Sequence, residues 1–155
     1  MILLTVGTQL AFDRLVQILD DLAPALAEPV FGQIGNARYS PTNFAAVARL
    51  SDSDFHSKLT SARAIVAHAG IGTVLRARQL NKPIIVFPRR AALNEHRNDH
   101  QLATCAQLAG TAGVYVAHDQ QQLAATIART DLVAPQPDLT NRDQLVNNLR
   151  HYFAS

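Results

Sequence analysis

The run Ala64-Ile65-Val66-Ala67-His68-Ala69-Gly70-Ile71-Gly72-Thr73 decides the fold. Ala64 to Ala67 is apolar throughout, with no alternation between a wet and a dry face, so it reads as a strand covered on both sides. His68 closes it, and a helix is expected from Gly70 to Leu80. The glycines let a ligand approach the backbone, and the free N–H groups of the first helical turn suit a phosphate. A tight turn whose glycines serve only packing reads the same way. The spacing is not that of a dinucleotide fingerprint, because no acidic residue ends a following strand about 20 residues on.

The same pattern recurs on either side. Ile2 to Val6 reads as a strand running into Gly7-Thr8-Gln9, and Phe12 to Leu26 as a helix with Leu15, Ile18, Leu19, Leu22 and Leu26 on one face. Strands are expected over Pro29–Ile34, Phe44–Leu50, Pro83–Phe87 and Val114–Ala117. Helices are expected from Ser51, which offers an N-cap with acidic residues behind it, and over Glu95–Ala109, Gln120–Ala128 and Asn141–Phe153. The last has an apolar face of Leu145, Leu149, Tyr152 and Phe153. Unbroken apolar strands separated by helices predict an α/β fold, a Rossmann-like parallel sheet with helices on both faces, in a single domain over residues 1–155. Ligands of such sheets bind beyond the carboxyl ends of the strands. Those ends carry Gly7-Thr8-Gln9, Leu50-Ser51, His68-Ala69-Gly70 and Pro88-Arg89-Arg90.

Composition removes several function classes. With 48% hydrophobic and 17% charged residues the chain is a packed protein, not a disordered one. The formal charge of +2 and the lack of a Lys/Arg run argue against a nucleic-acid partner. Cys105 is the sole cysteine, so no intrachain disulfide forms; it falls in an apolar helical pattern and reads as a buried, inert thiol. The first residues lack the features of a signal peptide, and no apolar run approaches the ~20 residues of a membrane span. A cytoplasmic location is expected, with membrane contact through a partner.

The segment from Pro88 to Gln101 is long and polar. On a helix, Glu95, Asp99 and His96 or His100 could share a face. His96-x-x-x-His100 has ligand spacing but lacks the Glu that follows the first His of a metalloprotease. A sugar or phosphate site and a solvated helix start are the readings left, and no metal is expected.

Three motifs together resemble a known family. Thr5-Val6-Gly7-Thr8-Gln9-x-x-Phe12-Asp13-Arg14-Leu15 is similar to the start of small bacterial exopolysaccharide glycosyltransferase subunits. His68-Ala69-Gly70-x-Gly72-Thr73, then Lys82-Pro83-Ile84-Ile85-Val86-x-Pro88-Arg89, then Glu95-His96-x-x-Asp99-His100-Gln101 follow in the same order. Met1 to about Leu108 resembles the carboxy-terminal domain of family 28 glycosyltransferases, a group that includes the peptidoglycan GlcNAc transferase and the catalytic subunit of the two-part dolichol-linked GlcNAc transferase.

The resemblance implies the donor-binding half of a GT-B glycosyltransferase, in which two Rossmann-like domains face each other across a cleft. It implies transfer of a hexose from a UDP-sugar donor to a lipid-linked acceptor in polysaccharide synthesis, without a metal or other cofactor. A separate membrane-anchored acceptor-binding subunit would hold this chain at the inner face of the membrane. Gly7, Thr8 and Gln9 would lie near the diphosphate, and Gly70, Ile71, Gly72 and Thr73 would cradle it. Leu50 would read the base edge through its backbone. Arg89 would pair with phosphate, or else be a solvated loop arginine. Glu95 belongs to the third motif, and Asp99, His100 and Gln101 would face sugar hydroxyls. Where larger relatives carry a ribose-binding Glu, this chain has Arg76, so ribose recognition must differ. The inverting base on the acceptor hydroxyl would be His68, Asp13 or a group of the second subunit; a buried structural role for His68 stays open. A non-catalytic activating subunit and a stand-alone nucleotide-binding module are the alternatives.

Overall fold

The computed structural model describes residues 1–135, so the helix expected over Asn141–Phe153 lies outside the described residues. Among the described residues six strands form one parallel sheet: β1 (Ile2–Thr5), β2 (Val30–Gln33), β3 (Ala45–Val47), β4 (Ala64–His68), β5 (Ile84–Phe87) and β6 (Val114–Val116). Their order is β3-β2-β1-β4-β5-β6. Helices α1 (Asp13–Leu22), α2 (Asp52–Ser61), α3 (Ile71–Gln79), α4 (His100–Leu108) and α5 (Gln120–Ile127) cover both faces. This is the expected Rossmann-like α/β sheet.

Alternation along the strands builds two cores. Ile2, Leu4, Ala64, Val66, Ile85 and Phe87 face α1 and α5, against Leu15, Leu19, Leu123 and Ile127. Leu3, Ile65, Ala67, Ile84 and Val86 face the other way, against Leu59 of α2, Val74 and Ala77 of α3, and Cys105 and Leu108 of α4. Both faces are dry, which is why the strands read as continuous apolar runs. Fully burying one Leu or Ile contributes about 1.5–3 kcal/mol.

No helix bridges β2 and β3. The loop between them is held instead by Asp20 of α1, only 1% exposed. Its carboxylate accepts from the backbone N–H of Thr42 and Asn43 and from the Tyr39 hydroxyl at 2.7–3.0 Å. Asp13 does the same about two turns earlier, accepting from the N–H of Arg38 and Tyr39.

Several boundaries differ from expectation. The first helix stops at Leu22 and tightens to a 3₁₀ turn over Ala23–Ala25, where Pro24 lacks an N–H. The strand expected to reach Leu50 ends at Val47, with one further backbone bond from Gly35 to the Ala48 carbonyl. The helix expected from Glu95 begins at His100. Asn94 adopts a left-handed conformation (φ +56°) after a 3₁₀ turn at Ala91–Leu93, and Asp99 accepts the Ala91 N–H at 2.9 Å instead of capping α4. Glu95 and Asp99 therefore do not share a helix face.

Candidate functional site

The chain order reverses between β1 and β4, and crevices at such reversals are where ligands sit in open α/β sheets. Thr5 lies opposite Ala67, so Val6 and His68 emerge side by side at the carboxyl edge. A pocket of about 320 Å³ opens there, lined by Val6, Gly7, Thr8, Gln9, Leu10, His68, Arg89, His96 and Gln101.

The His68 ring is wedged between two glycines. A Cβ on Gly70 would stand 2.3 Å from Nε2, and one on Gly7 would stand 3.0 Å from Cε1. Gly7 also has φ +80°, a conformation that other residues rarely adopt. Burial, then the positive charge of Arg89, pushes the imidazole down to about 4; His96 adds to this, and the Thr5 backbone opposes it without forming a bond to Nδ1. His68 is thus neutral at pH 7, and its Nδ1 is buried with no hydrogen-bond partner among the described residues. A base this weak takes up a proton reluctantly, but a neutral imidazole still offers one donor and one acceptor nitrogen.

Beside it α3 begins without a cap. Gly70 at the N-cap offers no side chain, and no side-chain cap bond is made there. The place a Cβ would take on Gly72 has no heavy atom within 4 Å. The amide end of α3, including Ile71 and Thr73, therefore keeps the unmet N–H groups that favour an anion.

The other wall is fully braced. Arg89 is 3% exposed, and its guanidinium lies 4.5 Å from the Phe12 ring centroid. It donates to the carbonyls of Val6, Leu10, Ala11 and Glu95. Burial lowers it to about 10, still charged at pH 7, with Glu95 opposing the shift. The reading of Arg89 as a solvated loop arginine is corrected by this placement. Glu95 accepts from Nε and Nη2 of Arg14 at 2.6 and 2.7 Å and also accepts the Arg90 N–H. Gln101 accepts the Arg89 N–H at 3.0 Å.

Six of the expected residues thus meet in one pocket: Gly7, Thr8, Gln9, His68, Arg89 and Gln101. Gly70 to Thr73 flank it through the His68 ring and the start of α3. Leu50, Glu95, Asp99 and His100 do not line it. Leu50 lies past β3, two strands from β1, and its N–H is given to Gln33 Oε1 at 2.8 Å. Glu95 and Asp99 hold the loop before α4. Asp13, the other candidate base on this chain, is engaged by Arg38 and Tyr39. Among the described residues no group of three or more His, Cys, Asp or Glu is placed to hold a metal ion. No described helix is long and apolar enough to cross a membrane. Cys105 is buried and its thiol is pushed up to about 12, as expected of an inert cysteine.

Sequence reading missed Arg14, Asp20 and Gln33. Their partners lie 81, 22 and 17 residues away, beyond the reach of local periodicity.

The model of the glycosyltransferase family 28 C-terminal domain matches residues 1–150, well past the stretch in which the motifs lie. No curated protein matches the chain significantly. Among solved structures, the glycotransferase of kitacinnamycin is similar at a TM-score of 0.62 and 18% identity, over 81% of this chain and 33% of that one. CalG4, the calicheamicin glycosyltransferase, is similar at 0.58 and 18%, over 92% and 36%. The solution structure of ALG13 is similar at 0.62 and 17%, over 88% of both chains. The present chain spans about a third of the length of the first two.

Proposed function

The chain belongs to the glycosyltransferase family 28 C-terminal domain family, and from that premise we propose that it is the donor-binding half of a GT-B glycosyltransferase. It takes a UDP-sugar and passes the hexose to a lipid-linked acceptor. A second, membrane-anchored polypeptide supplies the acceptor side of the cleft. The observation that carries this reading is the uncapped start of α3, bare at Gly72, beside a pocket at the reversal of strand order.

In this reading the diphosphate lies on the α3 amides from Ile71 to Thr73. Their partial positive charge stabilises the negative charge that grows as the leaving group departs. Neutral His68 offers the same group a hydrogen bond at no cost in proton uptake, which is its catalytic role here. Gly7 to Gln9 line the pocket near the diphosphate, and Gln101 stands ready for a sugar hydroxyl. With His68 near 4 and Asp13 engaged, the base on the acceptor hydroxyl comes from the second subunit. Similarity to ALG13 over 88% of both chains supports this reading. The weak basicity of His68 also favours a second reading, a non-catalytic activating subunit.

Calorimetry with UDP and a panel of UDP-sugars, with and without chelator, tests donor binding. Binding of at least one, unchanged by chelator, is expected; no binding overturns the proposal. Sugar transfer to membrane lipid, assayed with this chain, with a candidate membrane partner and with both, tests the division of labour. Activity only in the mixture is expected. Full activity from this chain with acceptor in detergent would refute the split. Full activity from the partner alone would favour the activating role.

A further inference from the structure

Arg89 reaches the pocket from behind its wall. Nη2 donates to the carbonyls of Val6 and Leu10, both at 2.7 Å, and Nη1 to those of Ala11 at 2.5 Å and Glu95 at 3.2 Å. A guanidinium has five N–H donors, so four are committed. The Phe12 ring covers the group at 4.5 Å, and the residue is 3% exposed. To reach a phosphate it would have to abandon these carbonyls, of which that of Val6 is buried and would be left unpaired.

Resting on the donor-binding reading above, we infer that Arg89 is a positioning residue: it gathers the carbonyls of the Val6–Ala11 wall behind the pocket and does not itself touch the donor. The chain from Val6 to Ala11 has no strand or helix ladder of its own. Arg89 bonds the carbonyls of Val6, Leu10 and Ala11 from one rigid fork, across sequence separations of 78 to 83 residues, while the exposed Asn36 side chain reaches those of Thr8 and Gln9 between them at 3.3–3.4 Å. Carbonyl oxygens turned to Arg89 are also kept from an anionic ligand, which they would repel. Arg14 steadies the clamp: it holds Glu95, which in turn accepts the Arg90 N–H and offers its carbonyl to Arg89.

The test compares wild type with Arg89→Lys and Arg89→Gln. Lysine keeps the charge and binds phosphate as a point charge, but a single ammonium cannot span four carbonyls. Backbone order parameters without ligand should fall at Gly7–Leu10 in Arg89→Lys from about 0.85 to below about 0.6, with α3 and α5 unchanged. UDP affinity should fall about tenfold in both variants, with no rescue by lysine. Wild-type UDP affinity and an ordered wall in Arg89→Lys would overturn the inference. If the variants do not fold, the Arg89 Nη signals of ¹⁵N-labelled wild type decide. Signals unmoved by saturating UDP support positioning, and large shifts show direct contact. If no uridine nucleotide binds, the donor reading fails, while the order-parameter comparison still decides whether Arg89 holds the wall.

Discussion

The two sides of the pocket are built on opposite principles. On the β1 side, every wall carbonyl that Arg89 reaches is bonded, and an Arg14–Glu95 pair braces the clamp. On the α3 side the helix starts bare, with Gly70 as an empty cap and open space over Gly72. A buried polar network with all partners met is rigid and specifies one geometry. A helix start with unmet donors is unfinished until something binds it. The contrast separates the part of the site that is already built from the part a ligand completes.

Substitutions at the two helix-start glycines should break or sharpen the contrast most clearly. Gly70→Ala places a methyl 2.3 Å from His68 Nε2, and the ring cannot retreat because Gly7 backs it. The φ of −91° is unstrained, so the cost is steric, about 3 kcal/mol, read as a fall in denaturation midpoint. An unchanged midpoint would mean that the ring is free to move.

The next effect is a pH dependence. His68 has its imidazole pushed from 6.5 down to about 4, so between those values the unfolded chain binds the proton that the folded chain refuses. Its stabilising effect is present above 6.5 and is lost as pH falls toward 4, by up to about 3 kcal/mol. Denaturant titrations from pH 7.5 to 4 should show that slope, and His68→Gln should flatten it.

Asp20 belongs to the braced side of the comparison. Burial works to raise its carboxyl, but the Thr42 and Asn43 amides and the Tyr39 and Thr42 hydroxyls outweigh it and hold it below 3.8. Its contribution therefore persists above that value and is lost only in stronger acid. Asp20→Ala should cost about 2 kcal/mol at neutral pH. Urea midpoints equal to wild type would show that water replaces the carboxylate without loss.

Gly72→Ala is the smallest change to the fold. Nothing stands within 4 Å of the new methyl, and a helix favours alanine, so stability should rise by about 0.5–1 kcal/mol. UDP affinity should nevertheless fall about tenfold if a phosphate comes up against that backbone. Stability and affinity moving together would place the ligand elsewhere.

The strands were legible because both faces of the sheet are dry, and Ala64–His68 and Ile84–Phe87 emerge within a residue of expectation. The carboxyl edge was legible too, since strand ends and glycines mark it. What escaped was the use made of polar side chains. Glu95 and Asp99 looked like partners on one helix face, but the chain at Asn94 turns left-handed and spends them on Arg14 and on Ala91. Arg89 had the composition of a phosphate ligand, and only the fold shows that Val6, Leu10 and Ala11 surround it. Hydrogen bonds between residues some 80 positions apart leave no periodic trace.

Cys105 has a use that its inertness creates. It is the chain's single cysteine, 1% exposed, with a thiol held near 12. Maleimides react with thiolates, so the folded protein should stay unlabelled at pH 7. Leu10, at the pocket mouth and 40% exposed, can then be replaced by cysteine and carry a fluorophore without removing the native residue. The fold thus comes with a silent background for watching its own pocket fill in real time.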